Sequence, residues 1–363
     1  CVQIQNWCMM HKILICVLTY NREWIIGDVI RNILSQDYPK DLLKILIVDN
    51  YSSDKTIEIA KKILEREKVK YEIIQEKSNI PRARNICIEK LGEEELLVFW
   101  DSDVICPFKD ALKNLVSTLI NKEIDLLTPM VKNVYLSDPK HLLSDYINSL
   151  KNIDAITYTP ILRGDLLIIH RRVIEKGLRF DEKLSTEEDR DFSLRSRLKG
   201  FCTATANNIY VYNVKNPNAS YYSPYTRPLE VLKGLRKRVS IMALSYLYRF
   251  NIKILAKIFF RALLFAMFVG LTISAFLSLG TPQILNAMAQ IFLVLFLTDF
   301  AYLMLKYHSV LIKTPHNFMR LIATSYLWTI IDILIIIALI YMIIFTNYRS
   351  ILRDDSVCKG VKQ

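Results

Sequence analysis

The sequence has 363 residues, 52% of them hydrophobic and 23% charged, with a formal net charge of +12 and a mean hydropathy of +0.21. That length predicts two structural units. A basic excess suits nucleic acid or a membrane surface, and the absence of any aromatic-basic RNA motif argues against nucleic acid.

Residues 1–11 are expected to be an N-terminal extension, with Met10 a sensible start codon. Residues 12–19, Lys-Ile-Leu-Ile-Cys-Val-Leu-Thr, are too short a run for a signal peptide. They suit a strand buried on both faces of a parallel sheet. A helical pattern follows over 23–35, with Ile25, Ile26, Val29, Ile30 and Ile33 at helical spacing. Residues 43–48 predict a second strand ending at Asp49, and Ser53 or Asp54 caps a helix reaching about Glu67. Residues 71–74 predict a third strand. Pro81 opens a helix at its first turn, where a missing N–H does no harm. Residues 96–100 predict a fourth strand ending at Asp101. This alternation predicts a doubly wound parallel sheet with helices on both faces. Further on, 124–130, 166–170 and 209–212 are candidate strands, and 187–198 predicts a helix ended by Gly200.

In such sheets ligands gather at the carboxyl ends of the strands. Three polar clusters fall there: Thr19-Tyr20-Asn21, Asp49-Asn50 and Asp101-Ser102-Asp103. Asp101 and Asp103 suit a hard divalent cation that neutralises a diphosphate; the plainer reading is a strand-end turn held by an Asx hydrogen bond. Asp49 can accept from a base N–H or a ribose hydroxyl, or it can hold its own turn. Glu187, Glu188, Asp189 and Asp191 crowd one helix start, where each raises the others' pKa. An acidic first turn also complements the helix dipole, which suffices for Glu187. His141 and His170 are expected to be structural. No G-x-G-x-x-G follows the first strand and no G-x-x-x-x-G-K-[ST] occurs, so a Gly-rich phosphate cradle is lacking.

Five motifs in order resemble the family 2 glycosyltransferases, which have the GT-A fold. They are Thr19-Tyr20-Asn21-Arg22, the run 47–56 (Ile-Val-Asp-Asn-Tyr-Ser-Ser-Asp-Lys-Thr), Ala83-Arg84-Asn85, Asp101-Ser102-Asp103, and Phe180-Asp181-Glu182 followed by 188–192 (Glu-Asp-Arg-Asp-Phe). The resemblance runs from about Lys12 to Phe201. It implies a Rossmann-like, mostly parallel α/β domain that binds a UDP- or GDP-linked sugar. The expected substrate contacts are Thr19, Asn21, Asp49 (on the base), Arg84 (near the nucleotide), Asp101 (near ribose and diphosphate) and Asp191. Asp103, with Asp101, is expected to hold Mg2+ or Mn2+. Glu188 and Asp189 look like the family's acidic pair on the acceptor side, with Asp189 the expected base for an acceptor hydroxyl. The Gln-x-x-Arg-Trp motif of chain-extruding synthases is absent after Asp191, which disfavours a polymerase. A polyprenyl phosphate is already ionised and needs no base, so the acidic pair favours a hydroxyl acceptor on a lipid or lipid-linked glycan. A polyprenyl-phosphate sugar synthase is the alternative. A non-catalytic membrane adaptor on the same fold is a second, opposed by the joint presence of Asp49, Asp101, Asp103 and Asp189.

The catalytic domain is expected over 12–226, followed by a transmembrane helical domain. Residues 227–253 predict basic amphipathic interfacial helices, with Arg236, Lys237 and Arg238 among apolar neighbours. Each basic residue near an anionic surface contributes roughly 1 kcal/mol. Residues 254–346 hold about three spans, at 258–279, 284–305 and 321–345, each longer than the roughly 20 residues that cross a bilayer. The basic cluster before the first span puts the catalytic domain on the cytoplasmic side. Three crossings would place the 347–363 tail outside, against the same rule. Asp299 and Asp332 lie within spans, where charges are costly and either functional or helix-pairing. The seven cysteines form no CxxC pair and are expected to be reduced thiols facing the cytosol.

Overall fold

The computed structural model describes residues 11–135, 155–184, 187–215 and Cys358. The expectations for 1–10, His141, the interfacial stretch, the spans with Asp299 and Asp332, and the tail other than Cys358 lie outside the described residues. Among the described residues no helix is long and apolar enough to cross a membrane. The chain divides into two compact units: residues 1–182, 187–219 and 354–363 form one, and residues 183–186 and 220–353 the other. The elements below belong to the first.

The first half follows the expected alternation: β1 (Ile13–Thr19), α1 (Ile26–Leu34), β2 (Leu43–Asp49), α2 (Thr56–Glu67), β3 (Lys70–Gln75), α3 (Ile80–Glu89) and β4 (Leu96–Trp100). Then come β5 (Val104–Ile105), α4 (Ala111–Asn121), β6 (Leu126–Tyr135), β7 (Ile156–Tyr158), β8 (Leu166–His170), α5 (Arg171–Glu175), α6 (Glu188–Leu198) and β9 (Thr203–Lys215). The helix after β2 starts at Thr56 rather than directly after Ser53 or Asp54, yet Asp54 still accepts the Thr56 N–H. Asn79 caps α3 through the Arg82 N–H, with Pro81 in the first turn. Gly200, at φ +85°, ends α6 in the left-handed conformation that a glycine adopts without steric cost. His170 accepts the Arg172 N–H and caps α5, a structural role as expected.

The sheet runs β3-β2-β1-β4-β8-β6-β9-β5, with β7 also paired to β9. Its β3-β2-β1-β4 half is parallel. In the other half the sheet is mixed: β8 lies antiparallel between β4 and β6, and β5 and β7 run antiparallel to β9. The reason is local. The chain reaches β8 along the carboxyl edge of β4, where the Asp101 N–H donates to the Asp165 carbonyl. β8 therefore enters the sheet from that edge.

Alternate residues along each central strand feed separate cores, as period-2 alternation requires. Ile13, Ile15, Val17, Ile45, Val98 and Trp100 pack with α1, α2 and α4. Leu14, Cys16, Leu46, Leu97 and Phe99 pack with α3, α5 and α6. Each fully buried side chain of this size contributes about 1.5–3 kcal/mol.

Cys202 and Cys358 form a disulfide, with Cα atoms 4.8 Å apart and a sequence separation of 156. This corrects the expectation of seven reduced thiols, which rested on local spacing; nothing in the spacing of residues so distant announces a pair. Cys358 packs against the first core, and its Sγ accepts a hydrogen bond from Arg197 Nη1. Cys16, Cys87 and Cys106 are free and buried.

Candidate active site

Parallel register sets Thr19 beside Asp49 at the carboxyl edge. The loops that follow are latched to each other. Asn21 N donates to Ser52 Oγ (2.9 Å), Ser53 N to Asn21 Oδ1 (2.9 Å), and Arg22 N to Thr56 Oγ1 (2.7 Å). Asn21 and Tyr51 both adopt left-handed backbone, at φ 51° and 54°. Such conformations cost on the order of 1 kcal/mol and gather at functional sites. Asn21, expected among the substrate contacts, uses its side-chain oxygen as a latch. Asp49 is fully buried, and its carboxylate accepts from Ser52 N, Ser52 Oγ and Gln75 Nε2. Thr19 differs from both: its side chain is buried and its Oγ1 has no partner.

A second group forms around β4. Its centre is Arg84 on α3, only 3% exposed. The guanidinium lies over Phe99 and Phe180, 5.4 and 5.2 Å from their ring centroids. Its Nη1 is 3.4 Å from Glu188 Oε1 and its Nη2 is 3.9 Å from Asp101 Oδ1. Nε and Nη1 make no hydrogen bond. Arg84 therefore joins the residue that directly follows β4 to the first residue of α6. Burial pushes the Asp101 carboxyl well above the usual carboxylate range; Asp165, Asp103 and Glu188 push the same way while Arg84 opposes them. Burial also lifts Glu188 to about 7, with Arg84 opposing and Asp189 adding to the rise.

Asp189 is half-buried and held by two backbone amides. Gly164 N donates to its Oδ2 and Arg190 N to its Oδ1, each at 2.8 Å. Asp103 lies 3.7 Å from Lys215 Nζ. Asp165 takes a two-pronged ion pair from Arg163 and a hydrogen bond from Asn213. Asp191 is expected as a substrate contact. Its buried carboxylate is gripped one turn along the same helix by Arg195, at 2.8 Å from Nε and 2.6 Å from Nη2. An i,i+4 spacing on α6 favours that pair.

No group of three or more His, Cys, Asp or Glu side chains suited to a metal occurs among the described residues. The donor set nonetheless fits a divalent cation in kind. Asp101 and Asp103 are oxygen donors in a crowd of negative charge that raises the Asp101 pKa, and a cation beside them would relieve it.

Sequence reasoning missed Gln75, Gly164, Asp165 and Lys215. The segment Arg163-Gly164-Asp165 did carry a signal, since it is a polar run abutting the apolar strand 166–169. It was legible only once β8 was known to be antiparallel, with Leu166 opposite Trp100. That register brings the amino end of β8 to the edge where β4 ends.

Residues 14–177 match the family model Glycosyl transferase family 2. The chain is 26% identical over 291 residues to the poly(ribitol-phosphate) beta-N-acetylglucosaminyltransferase TarS of Staphylococcus aureus, covering 77% of this chain and 49% of that one. It thus spans about half the length of that relative. It is 25% identical over 262 residues to a dolichyl N-acetyl-alpha-D-glucosaminyl phosphate 3-beta-D-2,3-diacetamido-2,3-dideoxy-beta-D-glucuronosyltransferase of Methanococcus voltae, covering 67% of this chain and 79% of that one. Among solved structures, the mannosyltransferase PcManGT from Pyrobaculum calidifontis, in complex with GDP-Man and Mn2+, superposes with a TM-score of 0.54 at 19% identity over 93% of this chain and 88% of that one. That likeness shows the fold.

Proposed function

Residues 14–177 form a family 2 glycosyltransferase domain on the GT-A fold, and from that premise we propose that the chain moves a sugar from a nucleotide-sugar donor to a membrane-held lipid or lipid-linked glycan. The observation that carries this reading is the buried Arg84, which sits between Asp101 at the strand edge and Glu188 beside Asp189. It brings a place for a diphosphate and a place for an acceptor proton within one charged cluster.

The chemistry follows from the residues. The acceptor oxygen forms a bond to the anomeric carbon, and the sugar–phosphate C–O bond breaks, its electron pair leaving with the nucleoside diphosphate. The acceptor hydroxyl must lose its proton as it attacks. Asp189 takes it, because it is half-open, while the two backbone amides fix its orientation. Glu188 is buried against Arg84 and less accessible. The Thr19 hydroxyl, which has no partner in the protein, and the Arg84 guanidinium, whose Nη1 makes no hydrogen bond although it lies 3.4 Å from Glu188 Oε1, are donors available to the donor substrate. Asp103 and Asp101 would hold a Mg2+ or Mn2+ ion, which supplies positive charge for the departing diphosphate. Attack from the face opposite the leaving group inverts the anomeric centre.

The membrane acceptor rests on the apolar runs at 258–279, 284–305 and 321–345 and the basic stretch before them. The Methanococcus voltae relative's name, which includes a dolichyl phosphate sugar, is consistent with it. Catalysis on the cytoplasmic face belongs to the same proposal. The test is the product. With a donor of known anomeric configuration, transfer to a lipid-linked sugar should give the inverted linkage. Retained configuration sinks the in-line scheme. Transfer to a bare polyprenyl phosphate, with Asp189→Asn fully active, would replace the hydroxyl acceptor with phosphate.

A further inference from the structure

We propose that Gly164 is a positioning residue for transfer, the one position whose lack of a side chain lets Arg84 reach both Asp101 and Glu188 while its amide holds Asp189. The inference rests on the Arg84 cluster being the transfer site.

A methyl group at position 164 would lie 2.6 Å from Arg84 Nη1 and 2.9 Å from Cζ, and closer still to Nη2. A flexible arginine on a surface would swing aside. Arg84 cannot do so freely, because it is 3% exposed, packed over Phe99 and Phe180, and flanked by Glu188 and Asp101. The alternative is for the backbone at 164 to retreat, and that movement is coupled on both sides. The Gly164 N–H donates to Asp189 Oδ2, and the adjoining Asp165 carbonyl accepts from Asp101 N. Two residues upstream, Leu162 N donates to Ser193 Oγ on α6. A shift at Gly164 therefore moves Asp189 relative to Asp101, whichever partner yields. The Gly164 φ lies outside the left-handed region, so alanine meets no backbone penalty and the collision is the whole effect.

Misplacing reacting groups by about 1 Å costs on the order of 100-fold in rate. The test is a double-mutant cycle on the full chain: Gly164→Ala, Arg84→Lys and both together, assayed for transfer and by thermal melt. Gly164→Ala alone should lower kcat about 100-fold and depress Tm. In the Arg84→Lys background, where the forked end is gone, the same change should cost less than about threefold and leave Tm unmoved. If Gly164→Ala does not fold, recovery of soluble protein in the double variant supports the collision, and failure to recover overturns it. A Gly164→Ala enzyme within threefold of wild type, or equal losses in both backgrounds, also overturns it. A wild type without transfer would sink the functional reading instead, while the melts still decide whether 164 and 84 collide.

Discussion

The Arg84 guanidinium lies 3.4 Å from the Glu188 carboxylate, and both are buried. One cation thereby balances two strand-edge and helix-start carboxylates, Asp101 and Glu188, that burial alone would neutralise. Removing one member of a buried charged group costs about 3–5 kcal/mol, because the others remain. Arg84→Met should therefore destabilise the domain by about that amount and lower kcat, measured by denaturant unfolding and transfer assay. An Arg84→Met enzyme as stable as wild type would mean that the cluster is already relieved by water.

Glu188 gives a pH signature. Its folded pKa, about 7, stands above its ordinary value of 4.5, so the native state holds a proton that the unfolded chain has lost between those pH values. Stability contributed by this group is fully present below pH 4.5 and falls as pH rises through 7. Glu188→Gln mimics the protonated form. It should be neutral near pH 4 and stabilising by roughly 3 kcal/mol near pH 8. Unfolding free energies at the two pH values, compared with wild type, check the sign.

Thr19 carries a buried hydroxyl without a partner. An unsatisfied buried polar group costs about 1–3 kcal/mol, which a ligand hydrogen bond would recover. Thr19→Val should raise Tm and raise the donor KM with kcat little changed. A lower Tm would show that the hydroxyl is already used within the protein.

Asn85 adjoins Arg84 in sequence but turns away from the site. Its Oδ1 accepts Phe180 N at 2.8 Å, and its Nδ2 donates to the Phe180 carbonyl and to Glu182 Oε1. Asn85→Ala should cost about 1–3 kcal/mol in stability, with donor KM unchanged at a temperature where it remains folded.

The parallel half of the fold was legible because buried strands and amphipathic helices announce themselves by period. β4 and β8 were bounded correctly at 96–100 and 166–170, since both are short apolar runs between polar ends. The antiparallel course of β8 was not legible. It depends on where the chain crosses the sheet edge, and no local period records that. Its consequence was to hide Gly164 and Asp165, which the sequence places far from Asp101. Asp101, Asp103, Glu188 and Asp189 are expected from strand-end position and resemblance, and Arg84 lies beside Asp101 and Glu188. Asp191 is expected from the same resemblance, and on α6 it pairs with Arg195.

The Cys202–Cys358 bond closes a long loop. The chain-entropy account gives closure of a loop this long about 5 kcal/mol. Cys358→Ser should lower Tm, and wild type under reducing conditions should fall to the same value. Equal melting of oxidised and reduced protein would contradict a stabilising link. Alkylation before non-reducing electrophoresis reads the bond directly.

The most direct test of the account is nucleotide release by detergent-purified protein from a panel of UDP-, GDP- and dTDP-sugars. It would be run with Mn2+ or Mg2+ and with chelator, beside Asp103→Ala. The account predicts release from one donor class, lost on chelation and in the Asp103→Ala protein. No release and no metal-dependent binding of any donor by the folded wild type would contradict it and favour a non-catalytic role for the domain.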